Sequence, residues 1–317
     1  MFNRFFITRD SEARFFFILV IALAFLFIVS FMLGLRVERG DNSVPSGTAS
    51  KFPEVLLQAK SVYVYDVRAQ AVLFAKEAEV RRPLASLTKV MAALVARELS
   101  PSYSHGTVVV SRGAVAVDGD NGLRSNEKWF LKDLLDFSLV SSSNDGIRAV
   151  TLSLGSIKSI GASEDEIVND FVRAMNRKAF ELDLKNTYFW NDTGLDESEV
   201  KGGAYGTAKD VSLLVEYILT YHPELLEATK EESVVLASLD DYKYQAENTN
   251  KAMGEIPGLL ASKTGFTETA GGNLTFAFDP ELGRPIVITI LGSTEQGRFE
   301  DARTLVTATL KYLNGDE

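Results

Sequence analysis

The chain has 317 residues, of which 46% are hydrophobic, and a formal net charge of −10 at pH 7. This size allows a sizeable core, while the negative charge without a basic stripe argues against a nucleic-acid partner. There are no cysteines and only two histidines, His105 and His222, so we expect no disulfide, thiolate chemistry, histidine-based triad, metal site or cofactor.

The N-terminal part of the chain is strongly apolar. Residues 15–35 carry no charge, and a run of about 20 such residues can span a bilayer as a helix. Three arginines precede it, so the positive-inside rule predicts a cytoplasmic tail over 1–14, a single-pass transmembrane helix over 15–35 and an extracytoplasmic remainder. A cleaved signal peptide is the alternative, but its apolar core would be shorter and would end at a small-x-small site.

Residues 36–52 are rich in Gly, Ser, Asn and Pro, which predicts a flexible linker. The remaining residues, 53–317, are enough for one catalytic domain. We therefore expect a tail, a membrane anchor, a linker and one folded domain, in that order.

The first chemical motif is S-x-x-K, formed by Ser86 and Lys89. Apolar residues at helical spacing behind it predict a helix over about 86–99 with a buried face. Residues three apart share a helix face, so the Lys89 amine can reach the Ser86 hydroxyl. A serine needs such a base, and a lysine acts as one when burial or a nearby cation lowers its pKa. Alone, the motif also fits a capping serine and a surface lysine.

A second S-x-x-K string, at 125–128, lies in a polar stretch without apolar periodicity. We interpret it as a turn.

The next motif is Ser142-Ser143-Asn144, which follows an apolar helical run over 131–139. It predicts a junction between two helices, the second beginning near Asp145. Ser142 can relay a proton and Asn144 can hydrogen-bond a substrate amide. A capping role for the second helix is the alternative and is compatible with catalysis.

The third motif is Lys263-Thr264-Gly265, which precedes a β-rich tail. It predicts an edge strand along which an extended peptide can lie, with Lys263 and Thr264 holding a carboxylate. An ordinary β-turn is the alternative.

The remaining pattern predicts strands at both ends of the domain and helices between them. The expected strands are 61–67, 71–76, 259–267, 273–278 and 285–291, and the last helix is 298–313. This order favours an α/β fold in which helices flank both faces of an antiparallel sheet. Pairing of strands from the two ends would bring Lys263 beside Ser86.

The order S-x-x-K, S-x-N, K-T-G is that of penicillin-binding proteins and serine β-lactamases. Further strings match the pattern of one family: a helix at 171–179, an N-T-x-F strand at 186–189, an N-x-x-G-L-D turn at 191–196, a T-A-[RK]-D helix start at 207–210 and K-T-G-x-T-x-x-A-G from 263. From about Val62 to its last helix, the chain resembles the serine D-alanyl-D-alanine carboxypeptidases, the low-molecular-mass penicillin-binding proteins of peptidase family S11. Ala261 and Gly146 stand where Gly and Ala are more usual in that family.

The resemblance implies a transpeptidase/β-lactamase-like fold and a role for each matching residue. Ser86 would be the acylated nucleophile and Lys89 the general base, with Ser142 and Asn144 as the second catalytic element. Substrate would lie along Lys263, Thr264, Gly265 and Phe266. The oxyanion donors would be the backbone N–H groups of Ser86 and Phe266.

The function that follows is removal of the terminal D-alanine from peptidoglycan stem peptides through an acyl-Ser86 intermediate, with β-lactam antibiotics as inhibitors. The protein would lie in the bacterial cell membrane with its catalytic domain outside. Many family members carry a C-terminal β-domain and anchor helix that are not found here, so we expect the N-terminal helix to provide anchoring.

Three alternatives remain. A D,D-endopeptidase would use the same residues to cut cross-links. A β-lactamase needs a glutamate-bearing loop, for which only Glu164, Glu166 and Glu197 are candidates. A non-catalytic cell-wall scaffold is disfavoured because all three motifs are intact.

Overall fold

The computed structural model describes residues 51–100, 102–119, 122–158 and 161–315. The expected tail over 1–14, the transmembrane helix over 15–35 and all but the end of the linker lie outside these residues. Within the described ranges, no helix combines the length and the apolar character that crossing a membrane requires.

A five-stranded antiparallel sheet forms the centre of the domain. Its strands are rich in the β-branched and aromatic residues that suit a pleated surface. They are β1 (Ser61–Asp66), β2 (Ala71–Lys76), β10 (Leu259–Thr267), β11 (Gly271–Phe278) and β12 (Ile286–Ser293). The spatial order is β10-β11-β12-β1-β2, and β1 pairs with β12 so that Val64 lies opposite Ile288. The two ends of the domain therefore close one sheet, as predicted, and β10 is an edge strand.

Side chains alternate between the two faces of the sheet, as a strand requires. Val62 and Val64 belong to the core beneath the last helix, α7 (Gly297–Asn314). Tyr63 and Tyr65 belong to the larger core on the opposite face. Helices thus cover both faces, as predicted.

The larger core is built by helices that follow one another along the chain. They are α1 (Thr88–Leu99), α2 (Arg112–Val115), α3 (Leu131–Val140), α4 (Asn144–Lys158), α5 (Glu164–Glu181) and α6 (Ala208–Tyr221). Nine consecutive residues of α1, from Thr88 to Ala96, are buried. This helix, which follows Ser86, is therefore enclosed by the domain and rigidly placed.

Several further strands are short, and all of them except β6 were not expected from the sequence. They are β3 (Arg82–Pro83), β4 (Thr107–Val109), β5 (Lys128–Phe130), β6 (Tyr188–Phe189), β7 (Ala204–Gly206), β8 (Ser233–Ala237) and β9 (Lys243–Glu247). β6 lies in the N-T-x-F string, where the family resemblance implies a strand. Most have two or three residues, too few to show an alternating pattern. The second S-x-x-K string forms a turn at Ser125 and Asn126 and enters β5 at Lys128. Asn126 has φ 68°, so the predicted turn is confirmed.

Candidate active site

Ser86 lies in a short 3₁₀ turn, Ala85–Leu87, directly before α1. The predicted helix thus begins two residues later than expected, since a tighter turn precedes its first α-helical residue, as often happens at helix N-termini. The three-residue spacing nevertheless places the two side chains in contact, and Lys89 Nζ donates to Ser86 Oγ over 2.8 Å. The same amine donates to the Thr193 carbonyl over 2.9 Å. The nucleophile and base candidates are therefore in direct contact.

The Lys89 side chain is completely buried. Burial lowers the pKa of Lys89 to about 7, although the carboxylates of Asp192 and Asp145 favour its charged form. A low-dielectric environment penalises the ammonium more than the neutral amine. Near neutral pH, a substantial fraction of Lys89 is thus the free amine that a general base requires.

The second motif lies between α3 and α4, as predicted. Ser142 has φ 64°, a left-handed conformation that is uncommon for serine and is concentrated at functional sites. Asn144 begins α4; its Nδ2 donates to the Asp118 carbonyl over 2.7 Å. Its Oδ1 is buried and has no hydrogen-bond partner among the described residues, so it can accept a hydrogen bond from a ligand N–H.

The third motif lies on β10, and the turn considered as its alternative is not found. Lys263 is 2% exposed and Thr264 is 4% exposed. Lys263 Nζ donates to Ser142 Oγ over 2.8 Å and to the Thr264 carbonyl over 2.9 Å. Burial, together with the charges of Lys89 and Arg298, lowers the pKa of Lys263 well below its usual value. A carboxylate beside Lys263 would oppose that shift by favouring the ammonium.

Gly265 brings β10 against the nucleophile turn. A Cβ at this position would lie 3.1 Å from the Ser86 nitrogen and 2.9 Å from the Leu84 oxygen. A side chain would thus force the strand away from Ser86. The three predicted motifs are therefore brought together in one site.

Arg298 is a site residue that the sequence did not reveal. It is 7% exposed, and its Nη1 donates to the Gly265 carbonyl over 2.8 Å. The C=O and N–H of a trans peptide point in opposite directions, so the Phe266 N–H points away from Arg298. This contact fixes the peptide group whose N–H is the expected second oxyanion donor. An arginine opening a helix carries no local signal of such a contact.

The 191–196 turn connects the Ser86 region to the β10–β11 turn. Asn191 Oδ1 accepts the Gly194 N–H over 2.7 Å, which stabilises the turn that presents the Thr193 carbonyl to Lys89. At the other end, Asp196 accepts the Thr267 hydroxyl over 2.9 Å. The turn therefore links Lys89 to β10.

Acidic and histidine side chains form no group of three or more that could hold a metal ion, as far as the described residues extend. The groups that the three motifs bring together are hydroxyls, amines and backbone N–H groups.

The family model described as D-alanyl-D-alanine carboxypeptidase, peptidase S11, matches residues 47–294. The chain is 30% identical to D-alanyl-D-alanine carboxypeptidase DacF of Bacillus subtilis over 249 residues, 77% of this chain and 60% of that protein. It is 27% identical to a D-alanyl-D-alanine endopeptidase of Pseudomonas aeruginosa over 246 residues, 77% of this chain and 74% of the relative. This chain thus spans less than two thirds of the length of DacF.

Among solved structures, penicillin-binding protein D2 of Listeria monocytogenes, in an ampicillin-bound form, superposes with a TM-score of 0.64 at 28% identity. The match covers 82% of this chain and 100% of that one. The family match, the relatives and this structural likeness agree with the resemblance drawn from the motifs. The chain belongs to the peptidase S11 family of D-alanyl-D-alanine carboxypeptidases and has the α/β fold of the penicillin-binding proteins.

Proposed function

We propose that this protein is a serine-type D-Ala-D-Ala carboxypeptidase that trims peptidoglycan stem peptides through an acyl-Ser86 intermediate. The observation that carries the proposal is the 2.8 Å contact between the Ser86 hydroxyl and the buried Lys89 amine. A neutral amine at that distance can take the hydroxyl proton as the oxygen attacks a carbonyl.

In the proposed reaction, the Ser86 oxygen adds to the carbonyl of the penultimate D-alanine while its proton passes to Lys89. The N–H groups of Ser86 and Phe266 would stabilise the resulting oxyanion. The C–N bond then breaks, and the proton that Lys89 took from Ser86 would pass through Ser142 to the leaving D-alanine amine, which restores neutral Lys89. Water would then add to the ester carbonyl and give a proton to Lys89. The ester C–O bond breaks, Ser86 Oγ takes that proton, and the shortened peptide leaves with a new terminal carboxyl group.

Substrate recognition would depend on the K-T-G strand and on Asn144. The terminal carboxylate would pair with Lys263 and with the Thr264 hydroxyl. The Asn144 Oδ1, which has no partner among the described residues, would accept an N–H of the stem peptide. Because a carboxylate stabilises the charged form of Lys263, binding and charging of this residue would occur together.

The same site in a β-lactam complex would place the lactam carbonyl where the D-alanine carbonyl lies, giving a stable acyl-enzyme. For fast hydrolysis of that ester, a β-lactamase would need a glutamate near Ser86. Glu166 caps α5 through Ser163, Glu164 accepts the Ser111 hydroxyl over 3.2 Å, and Glu197 accepts the Asn191 amide over 2.6 Å. These contacts engage all three candidates and favour a peptidase.

We further propose that residues 15–35 anchor the protein in the bacterial cell membrane, with 1–14 in the cytoplasm. Residues 36–52 would tether the domain over 53–317 outside the cell. The uninterrupted apolar run and the arginines before it support this arrangement.

A D,D-endopeptidase is the second candidate, since several relatives carry that name. The two functions are separated by digesting pentapeptide monomers and cross-linked dimers with the full-length protein in detergent, with Ser86→Ala as control. Mass spectrometry should show pentapeptides losing one D-alanine while dimers remain intact. Cleaved dimers with intact pentapeptides would refute the carboxypeptidase and support the endopeptidase.

A further inference from the structure

A buried ion pair lies behind the site, between Arg148 and Asp192. Arg148 is one helical turn after Asn144 on α4, and Asp192 belongs to the 191–196 turn. The guanidinium is bidentate: Nη2 donates to Asp192 Oδ1 over 2.8 Å and Nε donates to Oδ2 over 2.9 Å. The Asp192 side chain is fully buried and that of Arg148 is 22% exposed.

A contribution to the stability of the fold does not by itself explain this ion pair. Removing two charges from water costs several kcal/mol per ion, and buried pairs often contribute little net stability. A bidentate pair does, however, fix the relative position of the two segments that carry it. Here these segments are the helix that begins with Asn144 and the turn that contacts Lys89.

The position of Asp192 in that turn gives the pair a chemical consequence. The next residue, Thr193, supplies the carbonyl that accepts the Lys89 amine over 2.9 Å. Asp192 is also one of the two carboxylates whose charge favours protonated Lys89, the other being Asp145 on α4. An unpaired carboxylate here would oppose the neutral amine that catalysis needs.

We propose that Arg148 is a positioning residue for acylation: by holding Asp192, it fixes the Thr193 carbonyl against the Lys89 amine and offsets the carboxylate charge beside that amine. The inference rests on the proposed role of Lys89 as the base.

The charged groups around the pair define what its loss would do. Three charged groups lie near Lys89: Asp192 on the 191–196 turn, Asp145 on α4 and Lys263 on β10. Arg148 faces Asp192 and, from α5, the carboxylates of Glu164 and Asp165. Without the guanidinium, the Asp192 charge would act on Lys89 without compensation and would stabilise the ammonium.

The test follows acylation of the full-length protein in detergent by benzylpenicillin between pH 5 and 9. We expect the midpoint of the pH profile to move up by about one unit in Arg148→Met, a shift typical of a neighbouring uncompensated charge. Acylation at pH 6 should then be about tenfold slower. The double variant Arg148→Met/Asp192→Asn removes both charges and should return the midpoint to the wild-type value or lower.

A structural role alone would lower the melting temperature of Arg148→Met and leave its midpoint unchanged, which would overturn the inference. If that variant does not fold, Asp192→Asn decides: a lower midpoint supports the inference and an unchanged one overturns it. A wild-type protein that is never acylated would refute the proposed function, and this inference with it. If the wild type is acylated and the midpoints of the variants equal the wild-type midpoint, this inference is overturned and the proposed function is not.

Discussion

Gly194 provides a sharp test of how the 191–196 turn holds the nucleophile. It has φ +84°, and a Cβ there would lie 1.9 Å from the Ala85 oxygen and 2.7 Å from Thr88 Oγ1. In Gly194→Ala, the left-handed backbone costs about 1–2 kcal/mol. The clash with the backbone before Ser86 costs about 1–3 kcal/mol more. Relieving it requires a shift of about 1 Å, and a misplacement of that size can slow catalysis about 100-fold.

The matched control is Gly161→Ala. Gly161 has φ +85°, and a Cβ there would meet no atom within 4 Å. It therefore shares the backbone cost without the clash. Urea denaturation should show a loss of about 1–2 kcal/mol in Gly161→Ala and a clearly larger loss in Gly194→Ala.

The rate of acylation by benzylpenicillin completes this comparison. Gly161→Ala should react at the wild-type rate and Gly194→Ala about 100-fold more slowly. Equal destabilisation of the two variants, with normal acylation of Gly194→Ala, would show that the turn does not hold the Ser86 segment.

Three further outcomes are expected. Only neutral Lys89 can act as base, and burial lowers its pKa to about 7. The rate of acylation by benzylpenicillin should therefore fall about tenfold per pH unit below that value and level off above it. A flat profile from pH 5 to 8 would contradict this. Asp301→Ala removes the acceptor of the Gln58 and Ala59 N–H groups, 2.8 Å each. It should therefore lower the free energy of unfolding by about 2–4 kcal/mol in urea denaturation, whereas the exposed Glu300→Ala should change it by less than about 0.5 kcal/mol. Lys263→Met should reduce kcat/KM for peptides ending in a free carboxylate about 10- to 100-fold more than for the corresponding C-terminal amides, the worth of a charge-assisted hydrogen bond, since both substrates lose the Lys263 contact with Ser142 and only the first loses the carboxylate contact. An unchanged ratio between the two substrates would rule out carboxylate binding by Lys263.

The parts of the fold that were predictable have strong local patterns. β10 occupies Leu259–Thr267, as expected, because a rare motif there follows Pro257 and Gly258 and precedes a β-rich tail. The same reasoning separated the two S-x-x-K strings, since only the first is followed by apolar residues at helical spacing. The meeting of the three motifs was predictable because pairing of the terminal strands leaves few other arrangements.

The features that were not predictable depend on contacts between distant segments. Arg148 and Asp192 are 44 positions apart, and each alone looks like a surface residue. The Arg298 contact with Gly265 spans 33 positions. Some burial of Lys89 was expected from its apolar neighbours. Its complete burial depends on all the elements that pack around α1. Tertiary packing supplies this information, and a single sequence does not contain it locally.

Acylation of Ser86 can be observed directly by intact-mass analysis. Full-length protein and Ser86→Ala would be mixed with benzylpenicillin and followed over time. We predict a stable adduct of one penicillin on the wild type and none on the variant. No adduct on the wild type, an adduct that persists in Ser86→Ala, or one that disappears within seconds while penicillin is consumed would contradict this prediction.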